Sequence, residues 1–286
     1  MNRVAMLAML AALVAPRIAR AQDQDRWRSF DVSRQLHDTV PQRVKVQYGA
    51  GRVDVRGTDA PLLFGMHLRY DELRAAPVHR YDAEQHVTVL GLETRRGVRL
   101  ASNGGESESG ELKVVLPNRI PLDLELELGG TEASLELGGL ALQSVRLDGG
   151  ATDATLNFTQ PNRTHMRELD VGIGAASFTA LHLANANADL IRVRGGVGVV
   201  DLDFSGSWTR DLTVESRVAI GKLMLRVPED VGVRVEIQRV AAGFDHEGLV
   251  KRDDAWYSRN WDSAAHKLRI RAETVFGGIT VERSTR

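Results

Sequence analysis

Between residues 122 and 227 the chain repeats itself about every 22 residues, and this period narrows the available folds more than any other feature. Each unit is a short run of alternating apolar and polar residues, a corner of glycine or other small residues, and a second alternating run. The plainest arm is Leu122–Leu128, LDLELEL, in which four leucines alternate with three acids. That is the period-2 pattern of a half-buried strand. The corners are Gly129-Gly130, Gly149-Gly150, Gly172-Ile173-Gly174, Gly195-Gly196-Val197-Gly198 and Ile220-Gly221, with outlying relatives at Gly49-Ala50-Gly51 and Gly277-Gly278. Aligning the second arms produces three apolar columns. The first is Ala133, Ala154, Ala176, Val200 and Leu223; the second Leu135, Leu156, Phe178, Leu202 and Leu225; the third Leu137, Phe158, Ala180, Phe204 and Val227. The steps are 21, 22, 24 and 23 residues. The first arms add the column Leu126, Leu147, Leu169 and Val193, which Ser216 interrupts in the fifth unit.

A unit of this length is too short for a four-stranded propeller blade and contains no helical period. It fits an all-β, β-solenoid-like stack of Gly-cornered repeats, each coil about 4.8 Å from the last with its alternating face turned inward. An antiparallel β-sandwich with glycine-marked hairpins alternates in the same way and stands as the alternative.

Residues 1–21 read as a secretory signal peptide. Arg3 supplies the charge, Val4–Val14 is an unbroken apolar run of 11, and Ala19-Arg20-Ala21 fits the cleavage rule. As a helix that run covers about 16 Å, roughly half of a bilayer's hydrocarbon core. The mature chain is therefore expected to be exported, periplasmic or extracellular at the cell surface, and without a transmembrane segment. Within it, 22–100 reads as a smaller N-terminal β domain and the polar stretch 101–112 (ASNGGESESGEL) as a linker loop. Residues 113–286 read as the repeat domain with a C-terminal cap. Trp256, Tyr257 and Trp261 mark that cap, since the open end of a stack needs covering. An aromatic platform for sugar rings is the functional alternative for the same residues.

Composition removes several chemistries. With no cysteine there are no disulfides, thiol nucleophiles or Cys-ligated metals. Cleavage of the signal leaves 34 basic and 38 acidic residues, and 121–189 alone carries 10 acids against 3 bases. An acidic strip of this kind argues against nucleic acid and anionic lipid as partners and reads as a solubilised sheet face. The eight histidines form no HxH, HxxxH or HExxH pair, and no serine sits in GxSxG. Gly195-Gly196-Val197-Gly198 lacks the helix and the Lys-Ser/Thr of a phosphate cradle. Stacking the repeats sets Glu132, Asp153, Ala175, Val199 and Lys222 in one outward column. Its two carboxylates have the spacing of a retaining glycosidase, though solvated acids are the plainer reading. A second outward column, Glu136, Asn157, Thr179, Asp203 and Arg226, ends in an ion pair across the ladder. Asn157-Phe158-Thr159 and Asn162-Arg163-Thr164 match the glycosylation sequon. No catalytic, cofactor-binding or metal-binding residue is assigned, and no cofactor is expected.

Tyr48-Gly49-Ala50-Gly51, Leu62-Leu63-Phe64-Gly65, Tyr70 and Pro77 through Tyr81 resemble the N-terminal toast-rack domain. The Gly-cornered repeats and the ending AWYSRNWDSAAHKLRI…VFGGITVER resemble the C-terminal region of bacterial cell-wall-active antibiotic response proteins and related adhesin-like proteins. The resemblance covers about residues 40–284 and implies an all-β, solenoid-like body with no known catalytic residues. Several such relatives sit on membrane-spanning helices and modulate envelope-stress sensor kinases; here a cleavable signal stands in place of the helices. The leading expectation is an exported, non-enzymatic structural or binding module, adhesin-like, of the bacterial cell envelope, its partner an envelope protein or glycan. The alternatives are a regulatory module of envelope-stress signalling and, by fold analogy alone, a carbohydrate-active enzyme.

Overall fold

A computed structural model describes residues 26–95 and 110–284. The predicted signal peptide and most of the predicted linker lie outside the described residues. The elements in chain order are β1 (Trp27–Gln35), β2 (Gln42–Thr58), β3 (Leu62–Asp71), β4 (Ala75–Asp82), β5 (Val87–Thr94), β6 (Glu111–Pro117), β7 (Pro121–Glu136), β8 (Ala141–Gly149), β9 (Asp153–Asn157) and β10 (Met166–Leu181). They continue with β11 (Ala188–Asp203), β12 (Leu212–Pro228), β13 (Gly232–Asp245), β14 (Leu249–Arg252), β15 (Ala255–Ser258) and β16 (Lys267–Ser284), and one 3-10 turn spans Leu183–Ala186. The fold is all-β, and the sixteen strands form one hydrogen-bonded sheet.

Each predicted pair of arms is a single long strand that runs through its glycine corner, except where the rung is divided between β8 and β9. β2, β7, β10, β11, β12, β16 and β13 stack with all their mutual ladders parallel, β8 and β9 together filling the place between β7 and β10. The glycine corners are therefore not hairpin turns of an antiparallel sandwich. Burial explains what they do. In β12, Leu212, Val214, Ser216 and Val218 are buried before the corner, and Leu223, Leu225 and Val227 after it. The buried positions change from even to odd. In a straight strand that change would move the second set to the opposite face. The bend at Ile220-Gly221 cancels it, so both arms point into the same interior. β7 switches in the same way, from Leu122–Leu128 to Ala133 and Leu135 across Gly129-Gly130.

The bend brings the backbones of neighbouring rungs into contact. A Cβ added to Gly129 would lie 2.1 Å from the carbonyl oxygen of Gly49 on the rung below. One added to Gly221, whose φ is +141°, would lie 1.7 Å from that of Gly198. The return turns are clamped by asparagines. Asn162 donates to the Leu142 carbonyl and accepts from its N–H, and Asn185 joins the Phe158 carbonyl to the Ser207 N–H. Asn162, one of the two sequon asparagines, is buried in this role.

Inside, the faces are as expected from the repeats but the third unit is displaced by two residues. Phe178 pairs with Ala154 and Val200, while Ala180 pairs with Leu156 and Leu202. Leu169 likewise pairs with Val145 and Ile191, not with Leu147 and Val193. Ala176 pairs with Gly198 at the corner, not with Ala154 and Val200. The 24-residue step thus falls between the second and third units, in the turn that holds Asn162. Volume accounts for the choice: the largest side chain sits between small neighbours and the smallest between two leucines, which fills the interior evenly. Ser216 is buried in register between Val193 and Ala272, as the alignment placed it.

Two connections were not visible in the repeat. β16 lies between β12 and β13, so the last strand of the chain separates two strands that precede it. At the other end, β2 pairs with β7 along residues 42–56, and β5 and β6 line the opposite edge of β2. The sheet thus continues across the predicted boundary at 101–112, and β6 begins inside the predicted linker. The Trp256 segment forms the β14–β15 hairpin, which pairs antiparallel with the edge of β13 at Arg234 and Val235. Trp256 packs edge-on against Phe244 at 5.4 Å.

Gly221→Ala combines a positive φ with a backbone collision, so it is expected to lower the unfolding free energy by about 2–4 kcal/mol in urea melts. Gly130→Ala meets nothing within 4 Å; it is expected to change stability by less than about 0.5 kcal/mol.

Candidate functional site

On the second arms, the outward positions of β6, β2, β7, β9 and β10 line an open groove of ≈ 650 Å³. The strand period fixes its rows. Along one run Lys113, Asp54, Ser134, Thr155 and Thr179, each the ladder partner of the next. Beside it run Glu111, Arg52, Glu132 and Asp153. The groove floor is therefore a short ladder of hydroxyls, one per rung at about 4.8 Å spacing, with carboxylates along one side and cations at the end nearer the N-terminus.

The charges there are already engaged. Arg52 Nε lies 3.4 Å from Glu132 Oε2, and Lys113 Nζ lies 2.9 Å from Glu111 Oε2. The Lys113 hydrogen bond holds the Glu111 carboxyl below its ordinary pKa. Asp153 Oδ1 accepts the Ser177 N–H at 3.0 Å. Glu132 and Asp153 are ladder neighbours, as the repeat predicted, but Ser177 takes the place expected for Ala175 because of the displacement of β10. Val199 and Lys222 follow as expected, since Ser177 pairs with Val199 and Val199 with Lys222. In the other outward column Glu136 does pair with Asn157, but Thr179 has moved beside Thr155. Asp203 and Arg226 are backbone partners, yet the Arg226 guanidinium goes to Asp201 Oδ2 at 2.7 Å while Asp203 accepts from Ser205. Sequence reasoning missed the hydroxyl row; placing the 24-residue step one unit earlier would have revealed it. Among the described residues no group of three or more His, Asp or Glu side chains is placed to hold a metal ion.

The first arms carry a different surface. Lys45, Glu125, Arg146, Asp170, Arg192, Glu215, Arg271 and Glu236 follow one another across eight rungs with strictly alternating charge. Lys45 bridges Glu125 at 3.3 Å, Arg192 bridges Glu215 at 3.0 Å, and Arg271 bridges Glu236 at 3.2 Å. From the flanking row Arg194 reaches Asp170 of the central row at 2.9 Å, and within that flanking row Arg217 meets Glu273 at 2.6 Å. The acidic strip of 121–189 is thus largely paired with bases drawn from outside it, among them Lys45, Arg192, Arg194 and Arg210. Single exposed pairs contribute little. A row in which every neighbour is of opposite sign, however, opposes the exchange of adjacent rungs, because like charges would then face each other.

The family model described as the N-terminal domain of toast_rack, DUF2154, matches residues 22–178. No curated protein sequence matches the chain. Among solved structures it is similar to a provisionally named cell adhesion protein from Clostridium sporogenes, at 15% identity over 90% of this chain and 100% of that one, with a TM-score of 0.47. It is also similar to a provisionally named adhesin from Bacteroides fragilis, at 9% identity over 89% and 97%, TM-score 0.37. A provisionally named lipid binding protein from Parabacteroides distasonis aligns at 8% identity over 91% and 97%, TM-score 0.34.

The ion pairs set a direction of pH dependence. The Arg217 hydrogen bond holds Glu273 below its ordinary 4.5. A depressed carboxylate adds stability that is fully present above about pH 4.5 and is lost as pH falls through its folded value. Denaturant midpoints are expected to fall between pH 6 and pH 3, and to fall less in Glu273→Gln than in the unaltered chain.

Proposed function

The chain belongs to the toast-rack family, and from that membership we propose that it is an exported, non-enzymatic binding module of the bacterial cell envelope. We take its body to be a β-solenoid-like stack in which each long strand and its return turn make one coil. The change of buried parity at the corners supports the coil, because it turns two arms of one strand toward one interior. The reading of residues 1–21 as a signal supports export.

The observation that carries the binding reading is the hydroxyl row Ser134, Thr155 and Thr179, bordered by Glu132 and Asp153 on a rigid sheet. Donors and acceptors repeat there at about 4.8 Å, which is close to the advance per sugar of an extended glycan. A polyhydroxyl ligand laid across the rungs meets the same chemistry at each step. Catalysis by the two acids is disfavoured on physical grounds. A glycosidase needs one of its two carboxyl groups held as the acid, whereas Glu132 faces the Arg52 guanidinium and Asp153 accepts a backbone N–H, both of which favour the carboxylate.

The purified mature chain, residues 22–286, is expected to bind at least one polysaccharide in a panel of envelope glycans by calorimetry. Thr155→Val with Thr179→Val is expected to weaken that binding by roughly tenfold or more, as lost hydrogen bonds to buried ligand hydroxyls do, with thermal stability kept. Absence of binding across the panel, or binding indifferent to both substitutions, would overturn the assignment of the groove.

A further inference from the structure

The corner column changes character along the stack. On the early rungs it is bare backbone: Gly49, Gly129, Gly130 and Gly150. On β11, β12 and β16 it carries large apolar side chains turned outward, and on β13, where the column itself holds Ala241, Val240 stands beside it. Val197 is ladder partner to Ile220, Ile220 to Phe276, and Phe276 to Ala241. Val197, Ile220 and Phe276 are 53%, 49% and 53% exposed, and Val240, at the tip of the outermost rung, is 79% exposed. With Val199 and Val275 they make up six of the nine large exposed hydrophobics among the described residues. The fold does not require them, since glycine and alanine serve at the same corner elsewhere.

The charges beside this ridge are unbalanced. Lys222 follows the corner of β12 and Arg239 precedes that of β13. Among the described residues neither is bridged to a carboxylate; Arg239 donates to the Ala242 carbonyl at 2.8 Å. The carboxylate closest in the chain to Phe276, Glu273, is neutralised by Arg217. The acids of 121–189 lie on other rungs and are largely paired. A convex line of apolar tips about 15 Å long, flanked by two unneutralised cations, offers no groove for a peptide. Six side chains also fall far short of the 20–30 residues a side of a stable protein interface. Shallow insertion of a few apolar tips beside Lys and Arg is how a soluble surface attaches to an anionic bilayer.

We propose that the corner ridge Val197–Ile220–Phe276–Val240, with Lys222 and Arg239, is a docking edge for an anionic lipid surface. It begins on the rung beside the hydroxyl groove, whose flanking row passes from Ser177 through Val199 to Lys222, but shares no side chain with that groove and stands whether or not the groove binds a glycan. The test is co-sedimentation of the mature chain with phosphatidylglycerol-containing vesicles and with vesicles of phosphatidylcholine alone. Binding is expected to the anionic vesicles, and Ile220→Ser with Phe276→Ser is expected to weaken it by roughly tenfold or more. Lys222→Glu with Arg239→Glu is expected to abolish the preference for anionic lipid. Melting temperatures confirm that the exposed substitutions leave the fold intact. Three results would overturn the proposal: no binding by the unaltered chain, binding unchanged in the serine variant, or a dimer in sedimentation equilibrium that the serine variant dissociates, which would assign the ridge to a second copy.

Discussion

The contact on which the rest of this molecule depends is backbone against backbone at the corner. Gly129 lies against the Gly49 carbonyl, and Gly221 against that of Gly198, at distances that leave no room for a Cβ. Only because neighbouring corners come this close can both arms of a strand bend toward one interior while keeping their hydrogen bonds to the rungs on either side. The interior then follows from period-2 alternation, and the outer surfaces follow from what alternates with it. Two outward faces of one set of strands thereby become chemically distinct: charge-alternating on the first arms, hydroxyl-lined on the second.

Register is enforced at more than one level. The interior columns are matched in volume, Phe178 lying between Ala154 and Val200 and Ala180 between Leu156 and Leu202. Outside, the row from Lys45 to Glu236 is matched in sign. In the turns between long strands, asparagine side chains satisfy backbone groups of the neighbouring segment. A slip of one rung would place like charges together and a slip of two residues would crowd the interior. Parallel pairing over long sequence separations needs such restraint, because many nearly equivalent pairings compete.

Much of this is legible in the amino-acid sequence because it is local or periodic. The arms, the corners and the buried set all follow from spacing, and so does the adjacency of Glu132 and Asp153. The displacement of β10 was not legible, because stacking like on like favoured Ala176 beneath Val200, whereas packing density favours complementary sizes. The insertion of β16 between β12 and β13 is a matter of topology; Gly277-Gly278 announces a corner but not which rung it joins. The continuity of β2 with β7 was hidden by the polar stretch 101–112, which reads as a boundary on composition alone. The hydroxyl row depended on the register of β10 and became visible only with it. The apolar ridge was present in the sequence as corner residues, Val197 and Ile220, but their exposure depends on the direction of the bend.

Cross-linking tests the stacking most directly, since the chain has no native cysteine. Thr155 and Thr179 are ladder partners on the outer face, within the reach of a disulfide between neighbouring strands. Thr155→Cys with Thr179→Cys is expected to oxidise to an intramolecular disulfide in the folded protein, and Thr155→Cys with Ser177→Cys is not. Efficient bridging of the second pair in place of the first would contradict the register, and failure of both would contradict the parallel stacking of these rungs itself.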